Sequence, residues 1–188
     1  MKLVVGLGNP GKQYEKTRHN VGFMTIDSYN KKNALLEKKK FNGLYTEQII
    51  NNEKIILLKP QTYMNLSGNC VLKFVEYFNI KIEDIFIIYD DINYEVGTFK
   101  IKRNGSSAGH NGLKSIITLL KNDNIKRIKI GISMNKIPLE DYVLQKFSNE
   151  DIKKVNNVIE DVINIIDEIN YKNIDELMQK YNGNTNEK

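Results

Sequence analysis

A chain of 188 residues can build one well-buried core but not two ordinary domains. Its 40% hydrophobic and 27% charged residues describe a water-soluble globular protein, and one cysteine with two histidines excludes a disulfide framework and argues against a Cys/His zinc cluster. The net charge of +5 is unevenly placed: residues 149–188 hold 5 lysines against 9 acidic residues, so the first 148 carry the basic excess and suit a polyanionic partner, nucleic acid first.

The chain opens on an apolar run, Lys2 to Leu7, which predicts a strand leading into a glycine-rich loop. No charged region followed by a long apolar segment and a cleavage site is present, and no apolar stretch approaches the ~18 residues of a membrane span. A cytoplasmic protein without a membrane partner is expected. Asn20 is placed to cap a helix running to about Asn33, with Val21, Met24 and Tyr29 turned inward. Residues 43–50 and 54–59 form two strands around Asn51-Asn52-Glu53, a hairpin signal. Val71, Phe74, Val75 and Phe78 fall at helical spacing within Leu66 to Phe78.

Ile85 to Tyr89 is a continuous apolar run, as suits a strand covered on both faces in a largely parallel sheet. A strand from Thr98 to Arg103, a loop to His110, a helix from Asn111 to about Lys121 and a strand from Arg127 to Ser133 follow. Ser148 with Asp151 resembles a capping box, and Ile152, Val155, Val158, Ile159, Val162, Ile163, Ile166 and Ile169 make an apolar helical stripe. The expected fold is α/β: one domain over residues 1–182, with a twisted, mixed, largely parallel sheet between helices, a helical carboxyl end, and a flexible polar tail at 183–188.

Three motifs point elsewhere and fail on their physics. Gly6-Leu7-Gly8-Asn9-Pro10-Gly11 fits the dinucleotide fingerprint, but residues 12–18 lack the apolar periodicity of the helix that would hold a pyrophosphate. Gly105-Ser106-Ser107-Ala108-Gly109 fits a nucleophile elbow, but the one histidine after Ser107 is His110, too near in sequence to reach across a sheet. Asp90-Asp91 could hold a magnesium ion only if two successive strand residues faced one way. Cys70, among Val71, Leu72 and Phe74, reads as a buried, inert thiol.

Four longer segments remain: Gly6 to Gly11 with Tyr14 and Thr17-Arg18-His19-Asn20; Lys59 to Gly68, which includes Thr62-Tyr63-Met64-Asn65-Leu66-Ser67-Gly68; Tyr89-Asp90-Asp91; and Ser107-Ala108-Gly109-His110-Asn111-Gly112 running on to Ile116. In this order and spacing, from Lys2 to about Ser148, they resemble the bacterial-type peptidyl-tRNA hydrolases. The resemblance implies a cofactor-free, metal-free monomer that hydrolyses the ester between peptide and tRNA, recycling tRNA from prematurely released peptidyl-tRNA and touching its acceptor stem and 3′ end.

By the same resemblance His19 is the general base that activates water, Asp90 orients it, and Asn9 helps place the water. A histidine near its ordinary pKa of ~6.5 suits that task, and an ester needs no covalent nucleophile. Tyr14, Met64, Asn65 and Asn111 are implied substrate contacts, and Lys100, Lys102 and Lys129 the contacts to tRNA phosphates. Taken singly, each has a plainer reading: a loop histidine is usually surface, Asn111 suits a helix cap, and Asn9 and Asn65 suit turns. His110 reads as packing or loop-shaping rather than a second base.

Lys129, Asn93, Ser133-Met134-Asn135 and Gln145 depart from the family pattern, at positions that bear on tRNA affinity and on the segment near 134–146. The alternative is a non-catalytic RNA-binding protein on the same scaffold.

Overall fold

The computed structural model describes residues 1–182; the tail assigned to 183–188 lies outside the described residues. In chain order the elements are β1 (Lys2–Gly6), α1 (Val21–Lys32), β2 (Lys38–Lys40), β3 (Gly43–Ile50), β4 (Glu53–Pro60), α2 (Ser67–Phe78), β5 (Ile85–Asp91), β6 (Phe99–Lys102), α3 (Asn111–Leu120), β7 (Lys126–Gly131), α4 (Leu139–Val143), α5 (Asn149–Glu168) and α6 (Ile174–Asn182). Short 3-10 turns at Lys12–Tyr14, Arg18–Asn20 and Met64–Leu66 lead into the helices that follow them.

The strands form one sheet in the order β2-β3-β4-β1-β5-β7-β6. The central four, β4-β1-β5-β7, run parallel, and antiparallel strands flank them on both sides. Asn51 and Asn52 both take left-handed φ values, 52° and 58°, as the tight turn between β3 and β4 requires. The sheet is therefore mixed, as its hairpin and its buried central run predict.

Side chains alternate along each central strand, so the sheet feeds two cores. Leu3, Val5, Leu58, Ile85 and Ile87 pack with Val71, Phe74, Leu113 and Ile116 from α2 and α3. Val4, Leu57, Phe86, Ile88, Ile128 and Ile130 pack on the other face with Val21 and Ile26 of α1, Val158 and Val162 of α5, and Leu177 of α6. Each such side chain contributes roughly 1.5–3 kcal/mol relative to exposure. Ser148 Oγ accepts the Asp151 N–H and starts α5. Among the described residues no helix is long and apolar enough to cross a membrane.

Two features set the position of the residues at the carboxyl ends of the parallel strands. Gly22, in the first turn of α1, lies so close to the sheet that a Cβ there would meet Leu7 N at 2.3 Å and Ile88 O at 2.5 Å. That approach carries the preceding turn, with His19, against the end of β5. Asn20 occupies the cap position of α1, yet its side chain does not cap the helix. Its amide oxygen instead accepts the Asn9 N–H and its amide nitrogen donates to the Asn9 carbonyl, both at 2.9 Å. Two good bonds to an otherwise orphaned loop peptide outcompete one bond to the helix start.

Candidate active site

At the end of β5 a cleft of about 410 Å³ is lined by His19, Asp90, Ile92, Ser107, His110, Asn111, Leu139 and Val143, among others. His19 Nδ1 lies 2.9 Å from both carboxylate oxygens of Asp90, to which it donates. The two residues are 71 positions apart in the sequence. Burial on its own lowers the His19 pKa, but the charge and hydrogen bond of Asp90 outweigh it, and the net shift is upward. Burial on its own would raise the Asp90 carboxyl; the two imidazoles beside it outweigh that and hold it well below the usual carboxylate range. Asp90 is thus a buried anion kept ionised by the groups it supports.

His110 is the second of those imidazoles. Its Nε2 lies 3.0 Å from Asp90 Oδ1, and its Nδ1 accepts the Leu113 N–H at 3.2 Å, which makes it the side-chain cap of α3. Because Nδ1 is the acceptor, Nε2 carries the proton and donates to Asp90. Loop-shaping describes half of its role, and fixing Asp90 is the other half. The His19 and His110 rings stand 4.8 Å apart.

His19, Asp90 and His110 bring ligand atoms within 4.8 Å of one another. A metal ion would need the Nε2 lone pair of His110, and so a proton on the nitrogen that already accepts the Leu113 N–H. The trio is wired as a hydrogen-bond group and does not suit a metal. Asp91 points the other way, as strand alternation demands: it pairs with Lys129 at 2.9 Å and accepts the Asn93 N–H at 2.8 Å.

Of the remaining expected site residues Asn111 lines this cleft, whereas Asn9 borders a separate cavity with Pro10, Asn20 and Phe23. Asn9 is buried; its side-chain oxygen accepts the Met64 N–H at 2.8 Å, and its backbone is held by Asn20. Its amide nitrogen is thereby aimed away from Met64. Asn111 is exposed at the first turn of α3 and faces the cleft. Asn65 is exposed in the 3-10 turn before α2, and Tyr14 is half-buried in the turn before His19. The Met64 side chain packs into the core beside Leu7 and Leu113 and is not part of the cleft wall. Ser107 does reach the rim of the cleft, in the loop whose backbone takes left-handed values at Ala108 and Gly109.

Lys100 and Lys102 lie half-buried on one face of β6, and Lys100 stands opposite Lys129 in the β6/β7 register. The Lys129 ammonium is engaged by Asp91, whose hydrogen bond and charge outweigh burial and raise its pKa. The three lysines share one side of the sheet, but Lys129 already has a partner there.

Several residues at the site carry no readable sequence signal. Arg127 is fully buried and donates to the carbonyls of Gly105, Ser106, Asp123 and Ile125, bracing both loops that flank α3. Pro138, Leu139, Glu140 and Val143 form one wall of the cleft. Only Pro138 followed by two acidic residues hints at the short helix that carries them.

A family model described as peptidyl-tRNA hydrolase matches residues 3–188. A peptidyl-tRNA hydrolase of Clostridium perfringens (strain SM101 / Type A) is 48% identical over 184 residues, covering 97% of this chain and 98% of the relative. One of Staphylococcus haemolyticus (strain JCSC1435) is 44% identical over 190 residues, covering 99% and 100%. Among solved structures, peptidyl-tRNA hydrolase from Acinetobacter baumannii superposes with a TM-score of 0.91 at 30% identity, covering 97% of this chain and 94% of that one.

Proposed function

The chain belongs to the peptidyl-tRNA hydrolase family, and from that premise we propose that His19 is the general base of the hydrolysis, with Asp90 as its orienting anion. The overall reaction is cleavage of the ester in peptidyl-tRNA, so the protein is an ester hydrolase. The non-catalytic alternative is not favoured.

The single observation that carries the assignment is the pair of 2.9 Å contacts from His19 Nδ1 to Asp90. With Nδ1 donating to the carboxylate, the neutral imidazole keeps its lone pair on Nε2. That nitrogen takes a proton from a water, whose oxygen attacks the ester carbonyl. Asp90 then faces an imidazolium, whose charge it stabilises in a site largely closed to solvent. Collapse of the tetrahedral intermediate breaks the bond to the 3′ ribose oxygen, which takes back the proton. The products are a free carboxylic acid and the tRNA hydroxyl.

Asn9 and Asn111 supply neutral amide donors for the developing oxyanion, and Asn65 and Tyr14 contact the substrate on its approach to His19. Met64 acts through its backbone, which holds the Asn9 amide in place. Lys100 and Lys102 offer phosphate contacts to the acceptor stem, and Lys129 adds charge from its place beside Asp91. A cytoplasmic monomer that needs no cofactor completes the reading.

Quenching the protein with acid during turnover of N-acetyl-aminoacyl-tRNA labelled in the acyl group tests the water attack. No label is expected on the protein. Label recovered on Ser107 would replace water by a side-chain nucleophile.

A further inference from the structure

Arg18 is 8% exposed and, among the described residues, has no acidic partner within ion-pair distance. A leucine would fill such a space without burying a charge, so the guanidinium calls for an explanation in what it binds. Its Nη1 donates to two consecutive carbonyls, Gln145 O at 3.2 Å and Lys146 O at 3.0 Å. The Arg18 backbone N–H also donates to Gln145 O, at 3.0 Å, and Phe147 N–H returns to Lys16 O at 3.3 Å. The guanidinium carbon lies 4.3 Å from the centre of the Tyr142 ring and 5.4 Å from that of Phe147. Tyr142 is anchored in turn, its hydroxyl donating to Ile132 O at 2.6 Å.

These contacts join two pieces of chain that meet at the cleft. One is the 3-10 turn Arg18–Asn20, which carries His19. The other is the segment from Ile132 to Phe147, which puts Pro138, Leu139, Glu140 and Val143 on the cleft wall. Val143 is buried in the core, whereas Leu139 is 47% exposed and α4, which carries both, is five residues long.

We propose that Arg18 is a positioning residue for hydrolysis: it latches the 142–147 segment to the His19 turn and so holds the Pro138–Val143 wall at working distance from the base. This rests on His19 being that base. Two carbonyls and two aromatic faces converge on one side chain, and only an arginine supplies a planar donor group that also stacks. The wall confines substrate and does not touch the transferred proton, so its release acts on substrate capture more than on the chemical step.

The test compares the unaltered protein with Arg18→Gln and Arg18→Lys, by hydrogen exchange over residues 132–147 and by steady-state release from N-acetyl-aminoacyl-tRNA. For Arg18→Gln the expected result is exchange about tenfold faster in that segment, KM raised about tenfold and kcat within about threefold. Arg18→Lys, which keeps the charge without the planar group, is expected to fall between. Unchanged exchange in a folded variant, or a fall in kcat at constant KM, overturns the proposal. If Arg18→Gln does not fold, Tyr142→Leu removes the other half of the latch and is judged on the same readouts. Exchange is read without substrate, so failure of the latch is distinct from failure of the base assignment. The latter appears as release by His19→Ala within tenfold of the unaltered protein.

Discussion

Replacing Asp90 with asparagine separates its two contributions to His19. The carboxylate raises the pKa of the imidazole and stabilises the imidazolium that forms when water is deprotonated. At an effective dielectric of 20, unit charges 4 Å apart interact by about 4 kcal/mol, which sets the scale of what the charge supplies. The amide of Asp90→Asn keeps one oxygen to accept the His19 N–H, so part of the orientation survives. A loss of roughly 2–3 kcal/mol, or ~10²-fold in kcat, is expected. His19→Ala removes the base itself and is expected to lose more, towards the upper end of the ~10²–10⁴ range of general-base catalysis.

The pH profile gives the sharper sign. The base works unprotonated, so the unaltered protein gains rate as pH rises through a His19 pKa above the ordinary ~6.5. In Asp90→Asn the charge that raises the pKa is gone while burial, which lowers it, remains. The acid limb of kcat should therefore move to lower pH even as the plateau falls. A limb that stays put or moves up refutes the reasoning. So does a loss equal to or greater than that of His19→Ala, which would indicate a direct chemical role for Asp90.

Lys100→Ala and Lys102→Ala should each weaken tRNA binding and flatten the plot of log Kd against log salt, by about 0.7–0.9 for each phosphate no longer neutralised; an unchanged slope removes that lysine from the interface. Gly68→Ala would place a Cβ 2.4 Å from Ser115 O, a backbone atom that cannot give way without moving α3. A destabilisation of about 1–3 kcal/mol and a Tm lower by roughly 5 °C are expected by calorimetry, and an unshifted Tm contradicts that packing. Burial pushes the Cys70 thiol up to about 12, so iodoacetamide should label it only after denaturation. Stoichiometric labelling of the native protein at pH 8 would refute its burial.

Periodic segments were readable in the sequence because one physical rule governs each. The apolar run at Ile85 to Tyr89, the Asn51-Asn52 turn and the stripe from Val155 to Ile166 all lie where their patterns place them. Lys38–Lys40 has no such pattern, since three lysines become a strand only by pairing with β3 at the sheet edge. The same limit applies to the site. Nothing local joins His19 to Asp90 across 71 residues, and only the family resemblance brought them together. Asn20 looked like a helix cap because capping is a local rule, whereas its actual partner, Asn9, is set by the fold. Arg18 and Arg127 are surface residues by type and buried by context, their donors met by backbone carbonyls that no sequence pattern marks.

The most direct test of His19 as the base is release of a labelled N-acetyl-aminoacyl group from tRNA by the unaltered protein and by His19→Ala, with EDTA present throughout. Fast release by the first and at least ~10²-fold slower release by the second, with tRNA binding retained, is the predicted result. Release by His19→Ala within tenfold of the unaltered protein would contradict it.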